Sequence, residues 1–517
     1  MKIEIKALFI ILLLSIPGIS SAKPTLTQKV FTGYELAQDW DLVSAEKLSQ
    51  ALLNEHPDSG DAHFLSARIE FLKGNYEHSW KILKKVGENF KEVSDFKKLV
   101  NAPLKASKNF VSVETEHFHI RYEEGPDEVR IYYAKEVLEK SYQVLGKILE
   151  HLPQEKVLIE IYPDREPFSK ISPLSLQDIL TSGTVALCKY RRIMMISPGS
   201  LVRGYNWMDT QSHENVHYLL TKKSRNRLPL WMHEGIAKLL ETRWRNETDY
   251  MSPIMETILS GALKNDYRVP LEKMMPSFAK LKTAEDVQLA YAEVSTMMEF
   301  LMETKGEKIF PLLLEDLAAG KGFEESFIER TGANISKFQI NWETWVKKRE
   351  LNHIPGITPL TKEFKNKNSL EPKKDFKGMS SQRAQDWTFL GDILKSRQHY
   401  SAAILEYLKA KEESTTHSPI LFNKLAGTYI QTRKYEDAEL LLKESLEYYS
   451  DFHTTLTNLG ELYFVSERYE EAVRYFEKAV RINPFNPFIH VRLIELYGRM
   501  KMPEKKKLQT QLFSFIN

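Results

Sequence analysis

The stretch from Asp209 to Thr242 constrains this chain more than any other. It holds His213 and His217 within HENVH and follows them with PLWMHEGIAKLLE. In a helix, residues spaced like these histidines project from one face about one turn from each other, so the two imidazoles form a clamp with Glu214 beside it. Zinc suits such a clamp, because neutral nitrogen ligands and tetrahedral geometry match a d10 ion. A catalytic site adds a third protein ligand and leaves the fourth position to water. Glu234 supplies that third ligand best. Pro229 opens a second helical pattern, Glu234 and Gly235 fall in its first turns, and the chain between allows one reversal between antiparallel helices. Gly235 is expected to let those two helices approach closely.

On these residues the stretch resembles the gluzincin metallopeptidases, in which a second helix adds a glutamate ligand to the two histidines of HExxH. WMHEGIA is similar to the signature "Trp, two residues, Glu-Gly, one residue, Ala" of aminopeptidase-N-like enzymes and of the bacterial peptidase MA family. The resemblance implies that His213, His217 and Glu234 bind one zinc ion and that Glu214 is the general base. It also implies a tyrosine from a downstream helix that donates to the oxyanion. Tyr291, in AYAEV, matches that position best, although a tyrosine on an amphipathic helix also reads as core. Tyr218 and Tyr250 are lesser candidates. The GxMEN motif with which aminopeptidases hold a free N-terminus is missing from the sequence, which favours an endopeptidase acting on polypeptides.

Neighbouring residues invite further roles. Consecutive helix positions diverge by about 100 degrees, so His233 does not easily share a metal with Glu234 and is expected to line the cleft or meet solvent. Glu241 on the face of Glu234, and Asp209 one turn before His213, are each placed to hold a ligand histidine from behind. A solvated or helix-capping role fits each of them equally.

Met1 to Ala22 pairs Lys2 and Lys6 with an apolar run from Ala7 to Ile16 and ends in Ser20-Ser21-Ala22, the pattern of a secretory signal cut after Ala22. The run falls short of the roughly 20 residues that span a bilayer, so no membrane span is expected after cleavage. The expected location is exported, periplasmic or secreted. Cys188 is the single cysteine, so stability rests on packed cores rather than on disulfides. With 72 basic against 70 acidic residues the net charge is +2, which gives no field for nucleic acid.

The expected fold class is multidomain α+β: a thermolysin-like zinc metallopeptidase domain over 110–350, flanked by α-solenoid helical repeats. Residues 23–106 read as a helical domain with a weak period near that of tetratricopeptide repeats (TPR), a plain helical cap being the alternative. Within 110–350, Phe118 to Tyr122 and Lys156 to Tyr162 alternate as half-buried strands around a helical pattern from Asp127 to Glu150. Thr184 to Cys188 and Arg192 to Ser197 read as a hairpin that offers an edge to which substrate backbone adds as a strand. Pro253 to Trp345 reads as all helix. Residues 351–384 read as a lysine-rich linker with nothing buried. From 385 to 517, Gly391, Ala426 and Gly460 share one repeat position and Ala403, Ala438 and Ala472 another, at spacings of 34 or 35 residues. This is the packing logic of TPR units, with Glu504 to Phe515 as a cap, and the groove of such a solenoid is expected to recruit substrate or a protein partner. Two alternatives stand beside the endopeptidase: a catalytically silent repeat scaffold, and a zinc hydrolase of a non-peptide amide.

Overall fold

The computed structural model describes residues 24–87, 91–365, 379 and 381–517; the expected signal segment and the lysine-rich part of the linker lie outside them. The chain is mostly helical around one five-stranded sheet, ordered β1-β2-β3-β5-β4. The strands are β1 (Phe110–Glu114), β2 (Phe118–Glu123), β3 (Val157–Tyr162), β4 (Ala186–Lys189) and β5 (Arg192–Ile196). β2, β3 and β5 run parallel, while β1 and β4 add antiparallel at the two edges. Of the expected hairpin, β4 is therefore the edge and β5 is interior.

β3 differs from its expected half-buried form, since all six of its residues are buried. One face packs against the long helix Glu128–Ile148, as Ile159 and Ile161 join Val137 and Leu138 in the core. The other face carries Glu160, covered by the helices at the start of the chain. Tyr76 and Tyr162 donate to Glu160, and Arg192 reaches both Glu160 at 3.3 Å and the Phe71 carbonyl at 3.0 Å. Those first helices are a second wall of the sheet.

The helices Leu26–Gln38, Leu42–Glu55, Gly60–Leu72 and Tyr76–Leu83 form two hairpins, and eight helices from Gln382–Ser396 to Pro503–Ser514 form four more. One turn closes all six. A residue in the left-handed region (Trp40, Gly74, Gln398, Arg433, Glu467, Lys501) is followed by an N–H that reaches back five residues, as Asn75 does to Glu70 and Arg468 to Tyr463. In the C-terminal units, side chains fill the space a glycine leaves: a Cβ on Gly391 would lie 2.5 Å from the Tyr407 ring, and one on Gly460 2.7 Å from Phe476.

The solenoid docks through the turns between its repeats. Asn206 donates to Asp451 at 3.0 Å, Arg203 lies over Phe452, and Gly204, at φ +67, leaves room for the Ile482 carbonyl. The linker is also less free than expected: Ile357 and Phe364 are buried, and Phe364 bridges to Leu201. Among the described residues no helix is long and apolar enough to cross a membrane.

Candidate metal centre

The histidine helix, Trp207–Lys223, is started by Asn206, whose side chain accepts from the Asp209 amide, and carries Lys222 and Lys223 in its last turn. Both ends thus suit the helix dipole. Arg225 and Asn226, at φ +52 and +59, reverse the chain, and Pro229 caps the glutamate helix, Leu230–Leu240.

This reversal brings together His213, His217 and Glu234. Their Nε2 atoms stand 3.1 Å apart, and Glu234 Oε2 lies 3.5 Å from the first and 3.4 Å from the second. A tetrahedral ion with ligand bonds near 2.0–2.1 Å would hold its ligand atoms about 3.4 Å apart, so the three atoms already stand at its edge lengths. Glu234 Oε2 and Glu214 Oε2 are also buried without hydrogen-bond partners. The donor set, two imidazoles and a carboxylate, fits zinc.

Each histidine is held from behind. His213 Nδ1 donates to Glu241 Oε2 at 3.0 Å, which turns Nε2 toward His217 and Glu234, and Lys238 donates to the other oxygen of Glu241. His217 Nδ1 faces His233 Nδ1 at 3.5 Å, so His233 neither lines an open cleft nor meets solvent; it is 8% exposed and backs a histidine. Removing such partners typically costs 10- to 100-fold in metal affinity. Glu241→Gln and His233→Ala are each expected to weaken zinc binding by about that factor, read by competition with a chelator of known affinity. Asp209 does not hold a histidine. It accepts from Trp244 Nε1 at 2.8 Å and from Arg245, pinning the start of the helix to the following turn.

Burial would lower His213, but Glu234 and Glu241 outweigh it and raise its pKa to about 10. Burial raises Glu214, with the two histidines opposing. Glu234 is held well below the usual carboxylate range: burial would raise it, and the imidazoles beside it more than reverse that. Burial takes His233 down to about 3, so it is a neutral acceptor. A metal ligand must be deprotonated, and His213 without metal keeps its proton up to about pH 10. Zinc binding at pH 7 is therefore expected to release about one proton, with affinity rising as pH rises toward that value. Titration calorimetry in two buffers of different ionisation enthalpy measures the release.

Tyr291, on the helix Ala284–Lys305, lies 6.2 Å from the His213 ring, and burial and Glu234 hold its phenol well above its usual pKa. Gly235 makes this placement possible. A Cβ there would meet the Val294 carbonyl at 2.5 Å, so the glycine admits the tyrosine helix rather than the histidine helix. Tyr250 is bonded to Glu299 and Tyr218 packs on Trp40, away from the cluster of His213, His217 and Glu234. The edge strand also reaches the site, since the Cys188 amide acts on Glu214. Spacing alone did not single out His233, Lys238 or this amide; the position of Lys238, one turn before Glu241, was the available signal for the second.

Residues 153–348 match the Peptidase MA superfamily, and residues 454–486 match the tetratricopeptide repeat. A curated protein of Mycosarcoma maydis, small glutamine-rich tetratricopeptide repeat-containing protein 2, is 32% identical over 96 residues, which is 19% of this chain and 27% of that protein. Among solved structures, yeast LTA4 hydrolase is similar with a TM-score of 0.31 and 12% identity, over 78% of this chain and 66% of that one. The APC/C hetero-tetramer Cut9-Hcn1 is similar with a TM-score of 0.25 and 12% identity, over 95% of this chain and 88% of that one. The chain thus spans about a quarter of the curated relative and just under two thirds of the yeast hydrolase. His213, Glu214, His217, Glu234, Glu241 and Tyr291 all fall within the first matched stretch, and the chain carries a domain of the Peptidase MA superfamily joined to tetratricopeptide repeats.

Proposed function

We propose that the chain is an exported zinc-dependent endopeptidase that hydrolyses peptide bonds of protein substrates, with its repeats recruiting substrate or a protein partner. The observation that supports this most is the convergence of three ligand atoms at the edge lengths of a tetrahedral ion, with Glu214 alongside. His213, His217 and Glu234 would hold one zinc ion. When bound, zinc supplies a Lewis acid for the carbonyl and lowers the pKa of water to about 7. Glu214 takes the proton of the attacking water and hands it to the leaving amine. Tyr291 donates to the oxyanion, and the open edge of β4 pairs with substrate backbone. The signal pattern of Met1 to Ala22 supports export to a periplasmic or extracellular location.

One zinc per chain, and cleavage of a casein-like unfolded protein that a chelator abolishes and zinc restores, are the expected results. Stoichiometric zinc with no cleavage of any peptide library would favour the silent scaffold. Zinc-dependent hydrolysis confined to small amides would favour a non-peptide substrate.

A further inference from the structure

The segment after the peptidase helices brings Lys362 against Gly183, just before the edge strand begins. The Val202 amide donates to the Glu363 carbonyl at 2.8 Å, the Lys365 amide donates to Ser200 at 2.7 Å, and Phe364 is buried with Arg165 over its ring. These contacts fix the backbone on both sides of Lys362. Its stem runs along Gly183, where a Cβ would lie 3.5 Å from Lys362 Cδ. Its Nζ donates to the Gly183 carbonyl at 2.9 Å and stands 5.4 Å from the centre of the Tyr205 ring.

Those two neighbours place the ammonium. Gly183 caps the helix Leu176–Ser182 and leads into the edge strand β4. Tyr205 is tied to β5 through the Ile196 carbonyl and leads into the histidine helix. Lys362 therefore stands between the start of the open edge and the start of the helix that carries His213. Among the described residues no carboxylate lies within ion-pair distance of it. Glu241, whose charge acts on it, is shared by His213 and Lys238. One N–H of the ammonium is used by Gly183, and among the described residues no other hydrogen-bond acceptor takes the remaining two. Burial and the like charge of Lys238 take the group down to about 8, with Glu241 opposing. An incoming carboxylate would offset that cost.

We propose that Lys362 is a substrate-selecting residue that favours polypeptides placing a carboxylate at the Gly183 end of the edge strand. The carboxylate comes from an acidic side chain or from a chain's C-terminus. This inference rests on the peptidase reading above and deepens it.

The test uses the full-length, zinc-loaded protein and matched pairs of quenched fluorogenic peptides: Asp against Asn at positions around the cleaved bond, and a free against an amidated C-terminus. In at least one pair the carboxylate member is favoured in kcat/KM, and the responding pair names the source. Lys362→Gln lowers that acid-over-neutral ratio about tenfold, the scale of one hydrogen bond to a charged group, while Lys362→Arg keeps it. Should Lys362→Gln not fold in a thermal melt, Lys362→Met keeps the stem along Gly183 and carries the same expectation. No preference in the unaltered protein, or a ratio that the neutral variant leaves unmoved, overturns the inference. If the unaltered protein cleaves none of the peptides, the peptidase reading falls. Fluorescence anisotropy of the same peptides on Glu214→Gln protein then decides on Lys362 alone. A carboxylate preference that Lys362→Gln removes supports it, and equal binding of both members overturns it.

Discussion

Glu214→Gln is expected to cut kcat for peptide hydrolysis by about 10²- to 10⁴-fold, the range of a positioned general base, while zinc content stays that of the unaltered protein. The two outcomes separate because Glu214 is not among the three converging ligand atoms, and its Oε2 is buried with no hydrogen-bond partner. Glutamine has the same shape but cannot take a proton. Loss of a group that acts only as the reaction proceeds should lower kcat and kcat/KM alike. Zinc lost together with activity would mean that Glu214 holds the site together rather than serving it. Activity retained would place the base elsewhere.

Tyr291→Phe is expected to lower turnover by about 100- to 1000-fold, the usual cost of losing one oxyanion donor, with a smaller change in KM. Phenylalanine keeps the ring, which packs against Phe278 at 5.0 Å, so the loss isolates the hydroxyl. That hydroxyl stays protonated around neutral pH, because burial and Glu234 raise its pKa. The effect should therefore be flat with pH over that range. Unchanged turnover in a stable Tyr291→Phe protein would leave Tyr291 as a core residue.

The parts of the site that were legible in the sequence are those set by local geometry. Helical spacing puts His213 and His217 on one face, and the reversal before Pro229 brings Glu234 back over them. The repeat positions around Gly391 and Gly460 were legible for the same reason. What a residue packs against across the fold was not. Gly235 reads locally as a glycine between two consecutive helices, yet its close neighbour is Val294, on a helix much later in the chain. Asp209 lies on the right turn to reach His213, but Trp244 and Arg245 take its carboxylate. His233 reads as divergent from Glu234 because it is; its contact is the back of His217. β1 carries little sequence signal because Phe110–Glu114 is short and only partly buried. The linker's Ile357 and Phe364 gave no periodic signal, being single apolar residues among lysines and prolines.

The cluster around Glu160 limits how this protein can be cut into pieces. A fragment beginning at Phe110 would leave Glu160 without Tyr76 and Arg192 without the Phe71 carbonyl, and would open one side of the central strand to water. Leaving a buried charged group without one of its hydrogen-bond partners costs roughly 1–3 kcal/mol or more, a large share of the margin by which most domains stay folded. The peptidase core is therefore not autonomous: expressed without its first helices, it should be recovered aggregated or not at all.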